Sequence, residues 1–322
     1  MRLLLIVITF VLSLSCVISD KEYSRHTDNS SPRDLKQYNP EKAGAVIAEY
    51  FDITNKIVFP NKYDFLERYG HVKIKSFYDI TEFKGIIYIH IEGIIYLFNK
   101  KTMQKLTEIA IIFPDFLNIN FRSLGLIVTK NNVLLICGDQ TKPPYPSYLF
   151  SINLSSGKAV LLDWEETFGL QPLFLTNRPM IGYNKQNGLF WLRIEESSAS
   201  GTKCGFHFFQ YDEKTKSFMR KNVEKAPIMV GKKNQTGIWW AFINGNAVWY
   251  NGYAGPNTAN DIWDVGIDLR SIDDPENSIH FIDVEYLGTL SLPLSIIYDE
   301  PYIWIMAERD DQIQMLKLLP NK

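Results

Sequence analysis

The hydrophobic pattern is densest at residues 85–98, GIIYIHIEGIIYLF, where two β-branched and aromatic runs flank Glu92-Gly93. Ile86 to Ile89 and Ile94 to Leu97 predict two strands, and the Glu-Gly pair predicts the tight turn between them. Comparable runs ending in Asn or Asp recur at Asn99, Asn153, Asp212 and Asp268. The first three are followed by a polar turn and a further strand-like run, so each predicts a hairpin. The steps between the four positions are 54, 59 and 56 residues. A second marker agrees. Phe65 and Phe116 follow the related runs ITNKIVFP and LTEIAIIFP, Phe168 closes AVLLDWEETF, and the three are 51 and 52 residues apart. A period near fifty predicts a repeat array with about four strands in each unit.

Four units fall at 71–113, 121–164, 172–224 and 236–287, and three more strands at 295–298, 302–306 and 313–319 end the chain. The predicted fold is all-β: a β-propeller of five four-stranded blades, with six left open because residues 225–237 could hold further strands. The outer strand missing from the last blade is assigned to Ile53 to Phe59, an N-terminal strand that closes the ring and covers its edges. Asn39-Pro40-Glu41 ahead of AGAVIAEYF predicts a short helix to about Phe51. Residues 151–158, SINLSSGK, resemble the Y-x-hydrophobic-D-x-x-T-G-K hairpin of quinoprotein-like blades. That resemblance, to a blade type and not to one family, spans about residues 50–320 and implies the connection between the third and fourth strands of a blade.

The first 19 residues, MRLLLIVITFVLSLSCVIS, place one Arg ahead of an apolar run and then small residues, the pattern of an export signal. Leu12 to Cys16 resembles a bacterial lipobox, with Cys16 as the acylated residue. Leu12 lies four places before Cys16 and not the usual three, a relaxation similar to that of spirochaetal lipoproteins. The alternative is a signal cut after Ser19. Residues 20–39 read as a polar tether and 40–322 as a single propeller domain, which makes the protein an exported, cell-envelope or secreted one. The other two cysteines, Cys137 and Cys204, lie in strand runs and read as buried small residues, with one disulfide between them as the alternative. Asn29, Asn153 and Asn234 sit in glycosylation sequons. A net charge of −2 supplies no basic surface for nucleic acid or anionic lipid, so the only membrane contact expected is a lipid anchor.

Candidate chemistry is set by the fold. In a propeller the connections after each second strand crown the face where ligands bind. Those strands are predicted to end near Glu92, Asp139, Glu195, Tyr253 and Glu308. Four carboxylates at matching places could ring one mouth and hold a sugar, a basic peptide or a cation, or could be polar only because strand ends are solvated. The long connections at 138–147, 195–203 and 251–261 cluster on that face, and Tyr145, Tyr253 and Trp263 are its candidate aromatic platforms. Trp191, Trp239, Trp240, Trp249 and Trp304 sit inside apolar runs and read as core. The five histidines, His26, His71, His90, His207 and His280, lack metal-ligand spacing, and no hydrolase or nucleotide motif is present. No metal or cofactor is expected. The resulting expectation is a binding module for a carbohydrate or protein ligand. A carbohydrate-active hydrolase using two mouth carboxylates is one alternative, and a scaffold in an envelope complex is another.

Overall fold

The computed structural model describes residues 37–58, 67–69, 72–74, 78–91, 93–115, 121–139, 145–174, 179–198, 201–212, 215, 217–221, 229–230, 238–244, 247–253, 265–271, 274, 278–289, 295–310 and 312–321. Residues 1–36, which carry the expected signal and Cys16, lie outside them. In chain order, a four-residue helix α1 (Pro40–Ala43) precedes β1 (Ala45–Asp52), and a small hairpin pairs β2 (Glu67–Tyr69) with β3 (Val72–Ile74). The first blade is β4 (Tyr78–Phe83), β5 (Ile86–Ile91), β6 (Ile94–Asn99) and β7 (Lys105–Ala110). The second is β8 (Phe121–Val128), β9 (Asn132–Asp139), β10 (Ser147–Asn153) and β11 (Ala159–Leu162), followed by helix α2 (Trp164–Phe168).

A larger sheet holds β12 (Met180–Asn184), β13 (Leu189–Ser198), β14 (Gly201–Asp212) and β15 (Ser217–Lys221), with β16 (Met229–Val230) also paired to β14. Then come β17 (Ile238–Asn244), β18 (Ala247–Tyr253), β19 (Val265–Ser271) and β20 (Ser278–Asp283), with a 3-10 turn at Val284–Leu287. The closing sheet joins β21 (Ile296–Asp299), β22 (Tyr302–Arg309) and β23 (Gln312–Pro320) to β1. The first strands β4, β8, β12, β17 and β21 lie against one another in cyclic order, and β21 lies against β4, so the sheets radiate from a common axis as in a propeller.

The expectation of five four-stranded blades, or six, is corrected. Four sheets are regular four-stranded blades, and the segment from Met180 to Val230 instead builds a five-stranded sheet. Its extra strand comes from within the region where a hidden sixth blade was left open. β14 is long enough, at 12 residues, to pair with β15 near one end and β16 near the other.

The closing strand is also different from the one expected. The helix from Asn39 stops after one turn, because Gly44 takes the left-handed conformation at φ 71°. The AVIAEYFD stretch after it is rich in β-branched and aromatic residues and pairs as β1 with β23, Ala45 opposite Pro320 and Asp52 opposite Gln314. Residues 53–58 form a crossing to the first blade, held by Ile53 N–H to the Ile313 carbonyl at 2.9 Å and Val58 N–H to Tyr96 Oη at 3.0 Å.

Period-two alternation explains why the strands read as continuous apolar runs. In the second blade Val133, Leu135, Cys137, Phe150 and Ile152 face the first blade, while Leu134, Ile136 and Leu149 face the larger sheet. The second blade is therefore covered on both sides. The turns are made by side-chain acceptors. Asn99 Oδ1 takes the N–H groups of Lys101 and Thr102 at 2.9 and 3.1 Å, and Asn153 Oδ1 repeats this with Ser155 and Ser156 at 3.0 and 3.1 Å. Asp268 breaks the series. It lies in the middle of β19, buried, with its carboxylate on Arg270 Nε at 2.7 Å. Trp191 and Trp304 are core as expected, whereas the side chains of Trp239, Trp240 and Trp249 are not among those described.

Candidate functional site

Antiparallel order within each sheet puts the N-terminal ends of the first strands on the same face as the connections after the second strands. Near that face the first two blades place polar residues at positions that alternation buries. Asp79 comes after Tyr78 on β4 and is opposite His90 on β5; Ser123 on β8 is opposite Cys137 on β9. All four are buried. A register shift between Ser123 and Gly125 bends the start of β8. Gly125 also lets β8 lie close to β12, since a Cβ there would stand 2.7 Å from Ile181 N.

These residues form one network across the blade interface. Ser123 Oγ donates to Asp79 Oδ2 in a very short contact, and it lies 2.9 Å from His90 Nδ1. With the hydroxyl proton directed at the carboxylate, Nδ1 carries the imidazole proton and donates to Ser123. The other ring nitrogen agrees with this tautomer, because Gly93 N–H donates to His90 Nε2 at 3.2 Å. Burial lowers the His90 pKa from 6.5 to about 3 and holds the ring neutral. The Cys137 thiol is pushed up by burial and then by the charge of Asp79, so it stays protonated.

The same three residue types serve nucleophilic catalysis elsewhere, but the proton order here differs. An activated serine gives its proton to imidazole, and the carboxylate orients the far side of that ring. Here the serine stands in the middle and both ring nitrogens are engaged. The arrangement fixes a carboxylate beside the axis in an apolar interface, where an uncompensated charge would cost several kcal/mol. Two further polar residues lie at the same level of other sheets. Arg193 on β13 is buried opposite Met180, with its guanidinium 3.5 Å from Met180 Sδ. Glu308, the penultimate residue of β22, is half-buried.

Of the predicted site residues, Tyr145 and Glu308 are described with their side chains. Glu92 and Trp263 lie outside the described residues, as do the side chains of Asp139, Glu195 and Tyr253. Asp139 and Tyr253 end β9 and β18 as expected. Glu195 does not end its strand. The 195–203 loop is a continuous hairpin, with Glu195 opposite Cys204 and Ser198 opposite Gly201. Tyr145 is half-buried and left-handed at φ 57°, a costly conformation for a bulky residue. The residues after it are well fixed: Pro146 bridges to Phe174, Ser147 N–H reaches the Leu173 carbonyl at 2.9 Å, and Trp164 Nε1 donates to the Ser147 carbonyl at 3.0 Å.

Sequence reasoning missed Asp79 and Ser123 and passed over His90. The signal was present: a lone polar residue at the core-facing phase of a strand, as in FYDIT, FRSLG and IIYIHI.

No family model matches the chain, and no curated protein matches it. Among solved structures it is similar to an exo-beta-1,3-galactanase candidate from Bifidobacterium bifidum s17, at 9% identity and TM-score 0.44, covering 74% of this chain and 85% of that one. A glycosyl hydrolase from Bacteroides ovatus gives 10% identity and TM-score 0.41, with 92% and 98% covered. The N-terminal domain of Nup159 gives 8% identity and TM-score 0.32, with 74% and 75% covered. Residue roles do not carry over at such identities.

Proposed function

We propose that this chain is a carbohydrate-binding propeller that takes its ligand on the loop-bearing face. The observation that supports the reading is the fixed polar layer at that face, in which Asp79 on an innermost strand is held by Ser123, itself held by a neutral His90. Saccharides are bound by such preorganised carboxylates together with an aromatic ring that covers their C–H faces. Tyr145 is the aromatic with a described side chain for that role and Glu308 the further carboxyl, and Asp139 and Tyr253 join them on the strength of their places at the ends of β9 and β18. The test is a thermal-shift screen of oligosaccharides on the chain from Asp20 onward, repeated with Tyr145→Ala and Asp139→Asn. Stabilisation by a saccharide that both variants lose supports the site, and stabilisation that survives in both removes it.

A second reading, glycoside hydrolysis, draws on Asp79 itself. Ser123 donates its hydroxyl proton to this group, a carboxylate is the form required of a base or nucleophile, and a second carboxyl across the mouth would supply the acid. Turnover of the stabilising saccharide, abolished in a folded Asp79→Asn variant, would select this reading. Export with acylation at Cys16 completes the proposal. Fatty-acid labelling of cells should mark the wild-type chain and not Cys16→Ala.

A further inference from the structure

At the opposite end of the axis the first strands finish in charged residues that belong to three different sheets. Glu82 is the next-to-last residue of β4, Lys185 comes directly after the last residue of β12, and Asp299 ends β21. In the cyclic order of first strands, β12 has β8 and β17 as neighbours, so β4 and β21 lie across the axis from it. Lys185 Nζ nevertheless contacts Glu82 Oε2 and lies 3.9 Å from Asp299 Oδ1. The ammonium group must therefore span the end of the ring.

Both acceptors are braced from the first blade. Glu82 Oε1 takes the Gly85 N–H at 2.7 Å, fixing the carboxylate to its own hairpin turn. Asp299 Oδ2 is paired with Lys100, which sits on the other hairpin turn of that blade. The Glu82 side chain is only 7% exposed, although it sits at a strand end where solvation would be usual, and Lys100 is 19% exposed, while Lys185 and Asp299 keep 37% and 34% of their side chains in solvent. Exposed ion pairs contribute little, whereas a partly desolvated, multiply held set of charges is stronger.

We propose that Lys185 is an ionic crossbar that closes the ring at the end away from the loop-bearing face and holds non-neighbouring sheets at a fixed separation. This rests on the ring and its ion pairs and is independent of what the looped face binds.

Hydrogen exchange read by mass spectrometry on the full chain tests it, comparing wild type with Lys185→Met. Exchange should rise about fivefold at the C-terminal ends of β4, β12 and β21, with no change at residues 78–80. High salt should produce the same rise in wild type and no further rise in the variant. The charge-swapped pair Glu82→Lys with Lys185→Glu should restore protection, and it keeps the test open if Lys185→Met folds poorly. Unchanged exchange at the three strand ends in Lys185→Met, or a swapped pair no better protected than Glu82→Lys alone, overturns the crossbar.

Discussion

The second blade has two faces, and they are built on different principles. Toward the first blade, Leu126, Val128, Leu135 and Phe150 pack against Tyr88, Ile95 and Leu97, and the end near the looped face is given to Asp79, His90 and Ser123. Toward the five-stranded sheet the described contact is apolar and strongly aromatic. Phe168 from α2 lies 4.8 Å from Phe209 and 4.9 Å from Phe218, and Phe190 meets Phe218 edge-on at 5.3 Å, with Trp164 beside them. Burial area is the source of strength in the second contact. In the first, part of that area is given up for a charge that must be held by hydrogen bonds. The polar interface gives up cohesion that the aromatic one keeps.

On that contrast, the aromatic interface should be the costlier one to damage. Phe209→Ala, at a fully buried position, is expected to lose about 3–5 kcal/mol in urea unfolding. A loss below that of any polar-network variant would invert the comparison. Ser123→Ala comes next, at about 1–3 kcal/mol, because it strips hydrogen bonds from two buried groups while removing one oxygen. A neutral result would mean that Asp79 and His90 do not depend on Ser123.

The third test uses pH. His90 titrates near 6.5 when unfolded and near 3 in the fold, so between those values the unfolded chain binds the extra proton. Its contribution is fully present above about pH 6.5 and is lost as pH falls toward about 3, by up to ~1.4 kcal/mol per pH unit. His90→Gln should flatten this part of the stability profile. Wild-type and variant curves that run parallel over that range would show that the ring is not held neutral. The smallest effect is expected outside both interfaces. Lys105 and Glu108 form a 2.5 Å pair on the exposed β7, and Lys105→Ala should change stability by less than about 1 kcal/mol. A larger loss would place strength on the outer strands that neither inner face explains.

Much of this contrast was legible in the sequence as far as elements are concerned, and little of it as far as the site is concerned. Strong period-two runs and side-chain-capped turns gave the hairpins around Asn99 and Asn153 nearly to the residue, because local chemistry decides them. Three features depended on pairings that no local run announces. Residues 45–52 could read as a helix until β23 supplied a pairing edge. Polar residues 195–203 read as a loop because nothing in EESSASGTK announces that Ser198 will lie opposite Gly201. Asp79 and Ser123 are 44 positions apart and acquire a meaning only when two blades bring them together.

The pairing of β1 with β23 has a consequence for how the chain comes into being. Residues 45–52 leave the ribosome among the earliest of the described segments, yet their partner, 312–320, is among the last. Until then one sheet edge waits open, and its closure joins segments separated by most of the polypeptide, a slow kind of contact to form. Nascent chains are thus committed to a period of incompleteness that lasts until residues 312–320 have emerged. Loss of residues 312–320 should leave a ring that cannot latch, not a shorter propeller. Joining the two ends and opening the chain at a surface turn elsewhere should move that period without abolishing the fold.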